Sequence, residues 1–364
     1  MSLTVGDPAP WFHAATPSNP DYAFDTVAGR YVLLAFLPSD MAARARAMVA
    51  VAGHRASFDD VRACAFMVAR DAPTAGAAND LRGLRWFLDL DGAVSRLYGA
   101  LDAQGEERPM WVLLDPTLRV LACAPIAEAQ AVFALLLRLP PPAGHAGTPL
   151  HAPVLVLPRV FEPELCAELI ALHDGGDAKF TGVMRDEGGR TVAVMDDLKK
   201  RRDVLVADAD LQGTLRERLQ RRLFPEIEKV TAFQVTQIER YVVSRYDADE
   251  GGVFHPHRDD VTLGTAHRRF ACSINLNDDF AGGDLRFPEF GPRTYRPPPG
   301  GAVVFSCSLL HEVTPMTAGR RYAFLPFFYD EAGATILQAY QARIAGEEAA
   351  RAERQTLFRF KWIT

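Results

Sequence analysis

The sequence predicts two domains in series: an α/β domain, then an α+β domain with a β-sandwich or jelly-roll core. Three observations carry this reading. Before residue 139, continuous apolar runs alternate with helix-like stretches. Residues 139–149 read LPPPAGHAGTP, and from 236 onward short apolar runs follow one another with turn residues between them.

Taken in order, YVLLAFL (31–37) is apolar throughout, as a strand buried on both faces requires. The Ala- and Arg-rich stretch 41–58 reads as helix, and CAFMVAR (64–70) as strand. MWVLLDP (110–116) and RVLACA (119–124) read as a strand pair over a short turn, and 126–138 as an amphipathic helix. Pro140, Pro141, Pro142 and Pro149 then remove backbone donors and fix φ, so no helix or central strand runs through them. This places an N-terminal domain at 1–140, a linker at 141–152, a second domain at 153–332 and a helical tail at 333–364. In the second domain PELCAELIALHD (163–174) reads as a helix with Pro in its first turn, and 210–230 as a helical region divided near Pro225. QIERYVVSRY, RRFACSINLN, DLRFPEF, GAVVFSCSLLHEVT and RRYAFLPFFY read as strands, and the Gly-Gly of FAGGDLRFPEF as a hairpin turn.

Composition narrows the function classes. With 48% hydrophobic residues, 24% charged and 22 Phe in 364 residues, the chain has the make-up of a folded protein, not a disordered one. Its net charge of −6 divides evenly along the chain, which argues against nucleic-acid partners and polybasic membrane surfaces. The five cysteines form no CxxC, so a reducing compartment is expected. Cys64 and Cys123 sit in strand-like runs and read as small core residues. MSLTVGDPAPWF lacks the basic and apolar regions of a signal peptide, and AVFALLLRLP (131–140) is too short to span a bilayer. The expectation is a cytoplasmic protein without a membrane partner.

Chemistry concentrates between 255 and 321. His257 and Asp259 stand at i and i+2, which on a strand projects both to one face, about 7 Å apart. A lone H-x-D recurs by chance, so its weight comes from its company. His311 closes the apolar run of SLLHEVTP, and ten residues on stands Arg321 in GRRYAFLPFF. Two imidazoles and one carboxylate on one face of an octahedron leave positions open for a co-substrate and O₂, the arrangement of non-haem Fe(II). An inward Arg321 offers a bidentate fork to a carboxylate, while Arg320 alternates to solvent. His267 reads as a surface histidine, and His255 as a residue supporting the ligands or contacting substrate, as a rim residue, or as the fourth ligand that structural zinc would need.

The run from RYDADEGGVFHPHRDD through SINLNDDFAGGDLRFPEF to LLHEVTPMTAGRRYAFLPFF resembles the prolyl-4-hydroxylase-type Fe(II)/2-oxoglutarate dioxygenases, over roughly residues 153–330. The resemblance implies a double-stranded β-helix (jelly roll), with His257, Asp259 and His311 as iron ligands and Arg321 as the clamp on 2-oxoglutarate. It also implies a tyrosine against the co-substrate, and Tyr246 is the candidate. The cofactors it implies are Fe(II) and 2-oxoglutarate, with ascorbate as a further one. The reaction it implies uses O₂ to hydroxylate an unactivated C–H bond of an amino-acid, peptidyl or small-metabolite substrate, releasing succinate and CO₂. A carboxylate at Asp259 disfavours the related halogenases.

The N-terminal part is similar to the peroxiredoxin (AhpC/TSA-like) branch of the thioredoxin fold, on VGDPAPWF (5–12), AGRYVLLAFLPSD (28–40) and LDAQGEERPMWVLLDPTLRV (101–120). The family motif P-x-x-x-[TS]-x-x-C is met at Pro38 only, since Ala42 and Ala45 stand where the hydroxyl and the reactive thiol belong. Peroxide reduction by that route is thereby lost. A degenerate redoxin-like module for docking, substrate presentation or pairing into a homodimer is expected. The competing reading of the whole chain is a non-catalytic redoxin-like/jelly-roll binding or scaffold protein, which the retained ligand set and Arg321 oppose.

Overall fold

The structure, a computed structural model, describes residues 3–71 and 79–360. It divides into two compact units: residues up to Ala152 together with Phe287–Arg293, and Pro153–Arg286 together with the chain from Thr294 onward.

The first unit is mixed α/β. Its sheet runs, in space, Leu84–Leu88, Ala63–Ala69, Tyr31–Phe36, Met110–Leu114, Val120–Pro125, with the first two pairings parallel and the last two antiparallel. Tyr31–Phe36 is buried at every position, which is why its sequence is apolar without alternation. Helix Met41–Gly53 starts at Asp40, whose side chain accepts from Ala43 N. It ends before the expected 58, and Arg55–Ser57 forms a short 3₁₀ turn. The strand Leu84–Leu88 and the helix Ala93–Tyr98 escape a hydrophobic-pattern reading because polar groups organise them. Arg85 forks onto Asp60 at 2.7 and 2.8 Å, and the Asp89 carboxylate accepts from Val94 N and Ser95 N. Cys64 is buried, but Cys123 is exposed, contrary to expectation, because it lies on the edge strand with its side chain turned outward. Ala42 and Ala45 are exposed on their helix.

In the second unit, helices Pro163–Gly175, Ala209–Arg222 and Phe224–Thr231 contribute Leu169, Leu215, Leu219 and Ile227 to one apolar core with Ile274, Phe324 and Phe328. The strands form a larger antiparallel sheet, which holds Val242–Asp247, Phe270–Asn275, Ala302–Ser306 and Arg320–Phe324. A smaller sheet has the spatial order Lys199–Lys200, Val253–His257, His311–Val313, Leu285–Arg286, Thr294–Tyr295. A hairpin, Val183–Glu187 with Arg190–Val194, stands apart from both, and helix Glu331–Phe360 follows the last strand.

Several expected strands are broken, each for a physical reason. QIERYVVSRY splits into Gln237–Glu239 and Val242–Asp247 at Arg240, which has φ +47°. GAVVFSCSLLHEVT splits into Ala302–Ser306 in the larger sheet and His311–Val313 in the smaller, so one apolar run crosses between sheets. The Gly-Gly turn is not a hairpin. Gly282 and Gly283, both at positive φ, carry the chain from a pairing with Met316–Ala318 to one with His311–Val313. A Cβ on Gly282 would meet Pro315 O at 2.2 Å, so only glycine fits there.

Candidate metal centre

Each potential ligand is held by its own stretch of backbone. His257 ends its strand and pairs directly with His311 on the neighbouring one. Asp259 is not on the strand, as the i,i+2 reading expected. The chain has already turned, pinned by Asp259 N donating to Cys307 O at 2.9 Å and by Arg258 on Ser308 O. Asp259 therefore approaches both rings from a loop, with His257 Nε2 at 3.7 Å and His311 Nε2 at 3.3 Å from its oxygens. One ligand atom from each of the three lies within 4.8 Å of the others.

The rings are oriented alike. His257 Nδ1 donates to His255 O at 2.8 Å and His311 Nδ1 to Leu309 O at 2.9 Å, in each case two residues back. This fixes the tautomer that directs both Nε2 lone pairs toward Asp259, the outer-shell arrangement of metal-binding imidazoles. Phe254 stacks on His257 at 3.5 Å between centroids, and Phe305 lies 4.6 Å from His311. Burial, reinforced by His311, pushes His257 down to about 3, so it stands neutral and ready to ligate. Burial raises the Asp259 carboxyl, but His311, His257 and Arg268 outweigh it and hold it below the usual carboxylate range. Two imidazoles and one carboxylate make a donor set that suits Fe(II).

Arg321 is buried on the larger sheet, and Arg320 beside it is exposed and pairs with Asp247. The Arg321 guanidinium donates through Nε and Nη2 to Asn275 Oδ1 at 3.0 and 2.9 Å, and through Nη2 to Ser273 Oγ at 2.7 Å. Its Nη1 is buried with no partner among the described residues. A buried guanidinium nitrogen without an acceptor fits a carboxylate-bearing co-substrate. Tyr246 is the cross-strand partner of Arg321, with the guanidinium 5.6 Å from its ring centroid, and Arg201 Nη1 donates to the Tyr246 hydroxyl at 3.3 Å.

One sequence reading needs correction, that of His267. His267 is buried, not superficial: its Nε2 meets Glu239 Oε2 at 2.8 Å, and Arg268 donates to the same carboxylate. His255 is exposed, as a rim residue is, and its side chain takes no part in the three-residue cluster. The sequence reading names none of Lys199, Arg201 and Asp203, yet Lys199 and Arg201 are buried and Asp203 is half-buried beside them. Their signal was the i, i+2, i+4 spacing in KKRRD, which on an extended chain puts all three on one face.

Residues 241–329 match the profile of the 2OG-Fe(II) oxygenase superfamily, so the C-terminal region carries a domain of that kind. A PKHD-type hydroxylase from Maricaulis maris (strain MCS10) is 30% identical over 141 residues, which is 38% of this chain. The chain spans 63% of that relative, somewhat less than two thirds of its length. Among solved structures, a Pseudomonas putida prolyl-4-hydroxylase aligns over 49% of this chain and 92% of its own at 17% identity, with a TM-score of 0.37. Mycobacterium tuberculosis AhpC aligns over 38% of this chain and 94% of its own at 20% identity, with a TM-score of 0.32. No helix among the described residues is long and apolar enough to cross a membrane.

Proposed function

We propose that the protein is an Fe(II)- and 2-oxoglutarate-dependent dioxygenase that hydroxylates an unactivated C–H bond of an amino-acid, peptidyl or small-metabolite substrate, with release of succinate and CO₂. The observation that carries this reading is the three-residue cluster itself, with both histidines anchored through Nδ1 and turned toward Asp259. The match to the 2OG-Fe(II) oxygenase superfamily and the likeness to a PKHD-type hydroxylase support it. His257, Asp259 and His311 would hold the iron, and Arg321 would hold the far carboxylate of 2-oxoglutarate through its spare Nη1. When bound, iron and 2-oxoglutarate supply the O₂ chemistry that no side chain here can perform.

The chain's own residues do the rest. Asn275 and Ser273 fix the Arg321 fork, so the co-substrate meets a preset partner. Leu309 O and His255 O keep each imidazole proton on Nδ1. Phe254 stacks on the His257 ring and Phe305 packs at a tilt against that of His311, which holds both imidazoles in place. In this reading the first unit is a thioredoxin-like module without a peroxidatic thiol, and the second a jelly roll.

Anaerobic titration of the apoprotein with Fe(II) and then 2-oxoglutarate tests the reading, through the weak visible charge-transfer band of the chelate. The band is expected in the wild type and is expected to weaken in Arg321→Ala. Bound iron with no band sinks the assignment.

A further inference from the structure

Beside the ligand cluster lies a buried cation with too little to bind. Lys199 pairs with Phe254 across the smaller sheet, and its ammonium sits 5.5 Å from the Phe254 ring centroid. Phe254 in turn stacks on His257, so Lys199 stands one aromatic ring away from a metal ligand.

Its side chain is only 6% exposed. An ammonium has three donors. Among the described residues Lys199 Nζ has Gly182 O at 3.0 Å, at the foot of the hairpin, and Asp203 Oδ2 at 4.0 Å. Asp203 has little left to offer. Its carboxylate already accepts from Arg201 Nη2 at 2.9 Å, Thr181 Oγ1 at 2.7 Å and Ser244 Oγ at 2.6 Å, with Arg201 Nε 2.8 Å away. Each carboxylate oxygen accepts about two hydrogen bonds, and Oδ2, the oxygen nearer Lys199, already takes two, from Arg201 Nη2 and Thr181 Oγ1. Asp259 is the other carboxylate whose field reaches Lys199, and in the reading above it is committed to the metal. Burial, with Arg201 beside it, brings the Lys199 ammonium down to about 6, as expected for a buried cation short of a counter-charge.

A buried cation persists where an anion completes it. Arg201 is engaged by the Tyr246 hydroxyl through Nη1 and by Asp203 through Nη2, with Nε 2.8 Å from the same carboxylate, and Arg321 belongs to the co-substrate in the reading above. Lys199, which an incoming anion would keep protonated, offers one point charge beside Phe254, and that matches a single carboxylate better than a phosphate dianion. Resting on the hydroxylase reading, we propose that Lys199 is the substrate anchor and that the substrate is a small free carboxylate, a free amino acid, whose carboxylate it pairs with beside Phe254 and the metal ligands. Lys199 would then be the specificity-determining residue that admits free acids and rejects amides.

The test uses the full chain with Fe(II) and 2-oxoglutarate. Succinate release is measured with each of the twenty free L-amino acids and with their C-terminal amides, in wild type, Lys199→Met and Lys199→Arg. Stimulation is expected from free acids and not from amides. Lys199→Met should raise the KM for the stimulating acid about thirtyfold or more, as loss of a buried charge partner does, and Lys199→Arg should recover part of it. The anaerobic charge-transfer band should form in all three at similar 2-oxoglutarate concentrations. Amides that work as well as acids overturn the proposal, as does a Lys199→Met variant that folds and keeps the wild-type KM. A band lost in Lys199→Met places the residue in the co-substrate pocket and also overturns it, and so does a wild-type band with no response to any free amino acid. A band absent from the wild type fails the hydroxylase reading instead, so the two failures are distinguishable.

Discussion

The two units bury polar groups in opposite ways. In the first, the central strands Tyr31–Phe36 and Ala63–Ala69 are buried at every position, and Trp111, Phe66 and Phe133 fill the space around them. In the second, the buried set includes Lys199, Arg201, Asp247, Arg258, His267, Arg268, His311, Glu312 and Arg321. Burying a charge costs several kcal/mol unless it is paired, so a fold keeps such groups where something is gained by them. The first unit has a core that needs only to exist. The second keeps an apolar core around Leu169, Leu215, Phe324 and Phe328, and beside it holds buried nitrogen and oxygen atoms in place.

The sharpest way to break this contrast is to remove a ligand. His311→Ala should abolish succinate release and reduce iron stoichiometry, a loss of at least about 100-fold, since outer-shell partners alone cost up to that much. Turnover retained by a folded His311→Ala protein would leave the buried polar set without its function.

The converse change belongs to the first unit. Trp111 is fully buried, and its Nε1 donates to Ile126 O at 2.9 Å. Trp111→Ala should cost about 3–5 kcal/mol in denaturant unfolding of that unit. Iron stoichiometry at low temperature should be unchanged.

Arg321→Ala comes next. Removing the buried fork should raise the KM for 2-oxoglutarate about thirtyfold or more while iron stoichiometry holds. A rise in KM with intact iron binding separates the clamp from the ligands.

How much of this was legible in the sequence follows the same division. His257, Asp259, His311 and Arg321 fall in one stretch of 65 residues, where the cluster of histidines draws attention. The continuous apolar strands of the first unit were equally plain. Lys199 and Arg201 were hidden because a run of cations ordinarily marks a solvated face, and only the strand after the hairpin turns alternate members inward. The hairpin itself, Val183–Glu187 with Arg190–Val194, is half-exposed and polar, so no hydrophobic period announces it. His267 was misplaced for a related reason: its partner Glu239 is 28 residues away and precedes the break at Arg240.

That Glu239 pair gives a smaller, pH-dependent effect. Burial raises its carboxyl, but His267 and Arg268 outweigh burial and bring it down to about 2. A depressed folded value means the ionised group stabilises fully above its unfolded value, ordinarily about 4.3, and that this contribution is lost as pH falls toward 2. Denaturant midpoints between pH 5 and pH 2.5 should fall more steeply in wild type than in Glu239→Gln, by up to about 1.4 kcal/mol per pH unit. Parallel curves would remove Glu239 from the account of the second unit's stability.

The smallest expected effect is a null, and it bears directly on the first unit. Of the five cysteines, Cys123 alone is exposed, while Cys64, Cys166, Cys272 and Cys307 are buried. Burial pushes the Cys64 thiol up to about 12 and that of Cys166 to about 11, so neither supplies thiolate near neutral pH. Brief alkylation of the native protein should therefore label one cysteine by mass, at Cys123, and full labelling should require denaturant. Succinate release should be the same before and after, because no cysteine is among the residues proposed to hold the metal or the co-substrate. Loss of turnover on single labelling would mean that the first unit takes part in the reaction through its edge strand, and the contrast drawn between the two units would then fail at Cys123.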